Sequence, residues 1–502
     1  MEHFATTVAL VGIVIVVASL LSGALERTGA PLVAIFLALG AALGPAGLGL
    51  AGIRLDSPVL QALATLALAL VLFSDAVTIE MAEVRARKRL VWRMVGPGTL
   101  VPAALMALAA WLLLDLPAPA AAILGAALAS TDPVLLRTAL RSRAMPASAR
   151  VALRLETGTN DVVLLPVVVL AMLVLAATAQ GRALTGGEVG RAVVGLFILG
   201  PALGAFVGWL GITALAHVRE RIGVRRDYES LYALGLAFSG FAAAEAVGGS
   251  GFLAAFAAGF MVAAQDVELC DCFLEYGEAT AEMLLLLTFV AFGTSLIWTG
   301  FTVADGRTLL FAAIALTART VVLFPVLAGL GLEERDRRLI ALFGPRGLSS
   351  LLLVLLPVFA GLPGAERLFT ITCLVVLLSV VLHGTGIALF LRAAGGGRVP
   401  FGRVEARAFA GTASASGGFP APPPASRRSP PAEVPERITI GEMETLISRG
   451  EPVTIVDARA DRSHRADDIQ AKGAVRIDPS DPVRSAQAQR LSQHGTLVIY
   501  CA

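Results

Sequence analysis

The chain has 502 residues, 56% of them hydrophobic and only 16% charged, with a mean hydropathy of +0.77. That balance excludes a soluble globular protein and makes the class an all-α polytopic membrane protein. The formal net charge of +2 says little by itself, and four cysteines are too few for a disulfide framework; Cys270 with Cys272 makes half a metal site at most.

Apolar stretches of about twenty residues, the length that crosses a bilayer, recur near 5–25, 31–50, 58–79, 92–114, 118–140, 150–178, 191–217, 229–247, 250–265, 278–299, 308–330, 338–359 and 367–392. Thirteen transmembrane helices are expected. The first stretch lacks a basic n-region and reads as a retained span, not a signal peptide. The basic clusters "RARKR" (85–89), "RTALRSR" (137–143), "RERIGVRR" (219–226) and "EERDRR" (333–338) fall in alternate loops. Positive residues stay cytoplasmic, so the expected topology in the plasma (inner) membrane has the N-terminus outside and the tail inside.

Within these spans the charged residues are the informative ones, because such groups are expensive in hydrocarbon. Asp75 in "LVLFSDAVTIE" lies near a span end and is a lesser candidate. In "ALASTDPVLL", Pro133 removes a backbone donor and disfavours the helix at the residue before it. A helix break is expected beside Thr131 and Asp132, leaving backbone groups that could hold an ion.

In "LETGTNDVVLLP", Glu156 and Asn160 share one helix face, and Thr157 and Asp161 share another about 100° away. Glu245 and Glu282 sit in apolar surroundings with no motif around them. Arg319 in "IALTARTVVLFP" needs a carboxylate partner, with Glu156 the leading candidate. In "LFGPRGLSSLLL", Gly344, Pro345 and Gly347 mark a second helix break carrying Arg346. Two interrupted spans at corresponding places in two halves are the pattern of an inverted-repeat transporter. Asp132 would offset the positive N-terminal ends of half-helices, and Arg346 the negative C-terminal ends.

Residues 396–435 are rich in Gly, Ala, Ser and Pro and read as a linker. Residues 436–502 read as a soluble α/β piece, with "PVTIVDAR" and "TLVIYCA" as strands.

One acid among hydroxyl and carbonyl oxygens suits a monovalent cation. Loss of water favours the neutral acid and a bound cation favours the carboxylate, so Asp161 can hold one or the other. If the cavity opens to each side in turn, that competition is an exchange mechanism. No GxxxxGK[ST] sequence is present to drive a pump.

"STDPV", "ETGTNDVV", "TART" and "GPRGLSS", in this order, resemble the monovalent cation:proton antiporter family of NhaP and NHE type, over about residues 5–395. The resemblance implies an NhaA-like fold with two crossed, interrupted helices, and core helices about 92–178 and 308–392. It implies dimerisation helices about 5–79 and 191–299, and a homodimer. It implies exchange of Na⁺, or of K⁺ or Li⁺, for H⁺ in pH homeostasis, with membrane lipid as surroundings, no cofactor and no nucleic-acid partner.

Carried onto this sequence, Asp161 looks like the ion- and proton-binding carboxylate, and Asp132 and the Thr131 backbone look like its neighbours in the crossed helices. Thr157 matches a position that helps ligate the ion, Asn160 joins them in the ion-binding set, and Glu156 with Arg319 matches a structural ion pair. Asn160 stands where electrogenic relatives have a second Asp, which implies electroneutral exchange. "ETGTND" departs from the commoner "ESLLND", which bears on ion preference, and "GPRG" has Pro where an apolar residue is usual.

The tail resembles a rhodanese-like domain. Asp457 and Arg459 match its "D-x-R" strand end, and Cys501 matches its catalytic thiol. The loop that would activate this thiol does not follow in the sequence. Sulfurtransferase activity is therefore not expected, which leaves a secondary transporter and not an enzyme. The rival readings are a cation channel, a membrane-anchored sulfurtransferase, and a K⁺/H⁺ antiporter with a sulfur- or redox-sensing tail.

Overall fold

A computed structural model describes residues 32–50, 52–79, 81–142, 144–222, 226–265 and 271–393. Of the C-terminal part it describes 453–459, 473–477, 482–489 and 496–500, and a few isolated positions besides. The chain divides into two units, Met1–Pro400 and Phe401–Ala502.

Among the described residues, the elements of the first unit are all helices. In chain order it contains α1 (Leu32–Leu43), α2 (Pro58–Val77), α3 (Met81–Ala86), α4 (Lys88–Val95), α5 (Pro97–Leu113) and α6 (Ala118–Ala129). Next come α7 (Pro133–Arg141), α8 (Ala147–Ala179), α9 (Gly186–Val194), α10 (Gly200–Arg221), α11 (Arg226–Ala246) and α12 (Gly251–Ala264). The last are α13 (Asp271–Ala291), α14 (Gly306–Val326), α15 (Glu334–Leu342), α16 (Leu348–Phe359) and α17 (Ala365–Ala393).

Among the described residues, eight helices are long and apolar enough to cross a membrane, with four shorter apolar helices beside them. The expected stretch 5–25 lies outside the described residues except for Gly12 and Val16.

Two expected spans are split by several residues of non-helical backbone, and a third, 92–114, is broken at Gly96 alone, between α4 and α5. The stretch 118–140 divides into α6 and α7, with Ser130 (ψ 137°) and Asp132 (ψ 116°) extended between them. Pro133 is the first residue of α7, where its missing N–H costs nothing. The stretch 338–359 divides into α15 and α16 around residues 343–347. By contrast α8 runs unbroken for 33 residues, about 50 Å at 1.5 Å per residue, well beyond an apolar core of about 30 Å.

The structure corrects two expectations. The basic clusters are largely helical: α3 ends at Ala86, α4 begins at Lys88, α7 reaches Arg141, α10 reaches Arg221 and α15 begins at Glu334. Arg and Lys are good helix formers, so the helices extend past their apolar windows.

The expected spans 191–217 and 278–299 are also not uniformly α-helical. Gly195–Leu199 is a π-helical turn, as is Phe292–Leu296, which passes into a 3₁₀ stretch over Ile297–Val303. Carbonyls in both turns also accept bonds from outside the turn. The Ser250 N–H donates to Gly195 O at 3.2 Å, and Trp298 Nε1–H donates to Gly293 O at 2.7 Å.

In the second unit β1 (Val453–Asp457) lies between β2 (Val475–Arg476) and β3 (Thr496–Tyr500), parallel to both, and α18 (Pro482–Ala488) precedes β3. Asp457 and Arg459 form a buried ion pair, Arg459 Nη2 to Asp457 Oδ2 at 2.9 Å. The Arg459 guanidinium holds the Asp457 carboxyl well below the usual carboxylate range. Cys501 lies outside the described residues.

Candidate functional site

The two breaks meet. The Asp132 N–H donates to Pro345 O at 2.9 Å, joining the extended residues after α6 to those before α16. Asp132 then serves both half-helices that start there. Its Oδ1 accepts from Val134 N–H of α7 at 2.8 Å, and its Oδ2 accepts from Leu348 N–H of α16 at 2.8 Å. One carboxylate thus meets the positive ends of two helices.

Arg346 does the converse. Its Nη1 donates to Ala129 O at 2.9 Å and to Ser130 O at 3.2 Å, the unpaired carbonyl end of α6. Its backbone N–H donates to Ser379 Oγ of α17 at 2.7 Å. Both glycines of "GPRG" seat a charged side chain. A Cβ at Gly344 would strike the Arg319 guanidinium, and one at Gly347 would strike the Asp132 carboxylate.

α8 passes beside this crossing and brings up four polar residues. Glu156 faces α14, where Arg319 meets it in a fork: Nε to Oε1 at 2.6 Å and Nη2 to Oε2 at 2.5 Å. Arg319 Nη1 also donates to Ala341 O at 2.9 Å, at the carbonyl end of α15. Both side chains of the pair are almost fully buried, so the fork and the carbonyl stand in for water.

Asn160 Nδ2 donates to Thr131 Oγ1 at 2.7 Å, while Asn160 Oδ1 is buried with no hydrogen-bond partner among the described residues. Asp161 Oδ1 accepts from Ser130 Oγ at 2.5 Å, and Ser349 of α16 is within hydrogen-bonding reach of the same carboxylate.

The Thr157 hydroxyl donates back to Leu153 O and Arg154 O, at 3.1 and 3.2 Å, and Asn160 is the α8 side chain that reaches Thr131. Asp75 of α2 is half-buried and lies against Gly158 of α8, where an added Cβ would stand 3.7 Å from the Asp75 backbone oxygen. Glu245 stands apart from the crossing and accepts the Gly251 N–H at 2.8 Å. The Glu282 side chain lies outside the described residues.

Ser130, Ser349, Ser379 and His383 were not singled out in the sequence. Ser130 and Ser349 had a signal, each being a hydroxyl residue beside a break. Ser379 and His383 had none.

Chemically the two acids differ. Asp132 is committed to two backbone N–H groups. Asp161 meets hydroxyl groups, which donate to a carboxylate or accept from a carboxylic acid by rotating. Carboxylate, hydroxyl and amide oxygens are hard donors, the kind that suit a hard cation.

The family described as "Sodium/hydrogen exchanger, transmembrane" matches residues 13–393. K(+)/H(+) antiporter NhaP2 of Shewanella oneidensis is 26% identical over 392 residues, covering 75% of this chain and 65% of its own. K(+)/H(+) antiporter NhaP of Alkalimonas amylolytica is 24% identical over 392 residues, covering 77% of this chain and 67% of its own. The chain thus spans just under two thirds of the length of the NhaP2 relative. The solved structure of the sodium proton antiporter MjNhaP1 from Methanocaldococcus jannaschii superposes with a TM-score of 0.60 at 21% identity. It covers 77% of this chain and 100% of its own, so the two share a mostly helical polytopic fold.

Proposed function

The chain belongs to the sodium/hydrogen exchanger family of transmembrane proteins, and from that premise we propose that it is a secondary active antiporter exchanging a monovalent cation for H⁺. The observation that carries this reading is Asp161, a buried acid met by hydroxyl groups where the two interrupted segments cross.

In the proposed cycle Asp161 carries either the proton or the cation. Ser130 turns its hydroxyl to suit whichever form is present, and Asn160 Oδ1 supplies a further oxygen to the cation. Thr131, Thr157 and Asp132 complete the surroundings. Asp132 stays bound to the half-helix ends and does not exchange. Glu156 and Arg319 neutralise one another and fix α8 against α14. With an amide at position 160, one titratable acid serves one cation and one proton, which makes the exchange electroneutral. Asp75, beside Gly158, is kept as a lesser candidate.

The same reading assigns helices within 92–178 and 308–392 to a moving core, and those within 5–79 and 191–299 to a dimerisation scaffold in a homodimer. It places the protein in the plasma (inner) membrane with the N-terminus outside. The 436–502 region is then a cytoplasmic partial rhodanese-like piece joined by the 396–435 linker.

Na⁺ is the cation we propose first, from the family's description as a sodium/hydrogen exchanger. The K(+)/H(+) names of the NhaP relatives favour K⁺ as a second reading. Dissipation of an imposed pH gradient in proteoliposomes by added Na⁺, K⁺ and Li⁺ tests both. Cation-driven dissipation is expected, independent of membrane potential and absent in Asp161→Asn. Exchange that survives the substitution would remove the proposal.

A further inference from the structure

The hydrogen bonding around α17 points to an additional residue that governs the site without touching it. Hydroxyl residues in a membrane helix ordinarily turn back onto their own backbone. Thr370 and Thr372 of α17 do so, donating to Glu366 O at 2.9 Å and Leu368 O at 2.8 Å. Ser379 does not. Its fully buried hydroxyl instead meets the Arg346 N–H at 2.7 Å on one side and His383 Nδ1 at 3.0 Å on the other. Because Ser379 Oγ accepts from Arg346, its own proton needs an acceptor, and His383 Nδ1 is the group in place.

We propose that His383, half-buried one turn along α17, is a positioning residue for the cation site. Through Ser379 it fixes the backbone of Arg346 at the crossing. The ring carries its proton on Nε2, and Nδ1 accepts the Ser379 hydroxyl proton. That arrangement turns the serine lone pairs towards the Arg346 N–H.

What depends on this is the frame of the site. Pro345 O, one residue before Arg346, holds the Asp132 N–H, and Leu348 N–H, two residues after it, holds the Asp132 carboxylate. The Arg346 side chain holds Ser130 O, and Ser130 Oγ meets Asp161. A shift of residue 346 therefore reaches Asp161 through Ser130. Non-helical backbone at membrane depth has no ladder of its own to hold it, so it takes its position from such side chains. This inference rests on the antiport reading for its transport effect, while the hydrogen-bond state of His383 stands independently of it.

The test compares four variants in proteoliposomes, with thermal stability measured in parallel. Ser379→Ala and His383→Leu are expected to raise the half-saturating cation concentration by about three- to tenfold, the loss of one buried hydrogen bond, with little change in maximal rate. His383→Asn places an oxygen where Nδ1 lies and is expected to stay near wild type. His383→Gln places its oxygen too far along and is expected to follow His383→Leu. If His383→Leu fails to fold, the Asn and Gln variants decide.

Half-saturation unchanged in Ser379→Ala and His383→Gln would overturn the proposal, as would His383→Asn falling as far as His383→Gln. A ¹⁵N spectrum of the histidine rings, assigned by loss of one signal in His383→Asn, gives a readout that needs no transport. A bare Nδ1 supports the proposal, and a protonated Nδ1 with bare Nε2 sinks it. A wild type that shows no cation-driven exchange but has a bare Nδ1 would remove the antiport reading and leave the hydrogen-bond assignment standing.

Discussion

At the crossing of residues 130–132 with 343–347 the backbone leaves the helix and charged side chains take over its hydrogen bonds. Between α10 and α12 the backbone stays helical and side chains are removed. There Gly200, Gly204 and Gly208, four residues apart, face Ser250, Ala254 and Ala258. A Cβ at any of these glycines would strike a carbonyl oxygen of the other helix. This is the close approach of small residues that packs helices in lipid by dispersion alone. The first region carries fixed charges because it has broken backbone to satisfy. The second needs none, because its peptide groups are bonded within their helices or, at the ends, to a neighbouring carbonyl or serine hydroxyl. Polar groups thus concentrate where the backbone is interrupted, and that is also where a dehydrated ion finds ligands.

The comparison can be broken at several points. The largest effect is expected from Asp161→Asn, which should abolish cation-driven dissipation of a pH gradient while the purified protein keeps its melting temperature. Next is Arg319→Ala, which leaves Glu156 charged and unpaired. The cost of removing one partner of a buried pair is about 3–5 kcal/mol, expected as loss of folded yield and thermal stability, with partial recovery on adding Glu156→Gln. A stable Arg319→Ala protein with only weakened cation affinity would contradict the structural role.

Ser130→Ala should keep the fold and raise the half-saturating cation concentration by about tenfold or more, as for a hydrogen bond to a charged group. The smallest effect on transport belongs to the scaffold. Gly204→Val should destabilise by about 1–3 kcal/mol through overpacking against Ala254, with cation half-saturation unchanged in the folded fraction. A shift in half-saturation there as large as that of Ser130→Ala would erase the distinction between the two regions.

The places where backbone rules are local were legible in the sequence. Pro133 and the Gly-Pro-Arg-Gly run announce interruptions because proline and glycine act on their own residue and its neighbours. Arg319 announced a need for a carboxylate because a lone guanidinium in hydrocarbon is costly. Which hydroxyl meets which acid was not legible. Helix-wheel angles put Thr157 on one face with Asp161 and Asn160 on another with Glu156, yet it is Asn160 that reaches Thr131, while the Thr157 hydroxyl donates to its own helix. The wheel fixes a direction around one axis, whereas contact depends on where the neighbouring axes cross. The π turns at Gly195–Leu199 and Phe292–Leu296 were hidden for a related reason, since the further donors to their carbonyls, Ser250 N–H and Trp298 Nε1–H, stand beyond the turns.

The sequence by itself determined that the chain is a bundle of apolar helices with two interruptions and a few charges too costly to be idle. Hydrophobic length, proline geometry and the price of charge in lipid act residue by residue, so they can be read without coordinates. Only the tertiary structure decided that the two interruptions touch, and that Asp132 is held by two helix ends while Asp161 is left to hydroxyls. It alone decided that Ser379 and His383 stand behind Arg346. Each of these is a meeting of groups distant in the chain, set by how helices pack and not by any one residue's preference.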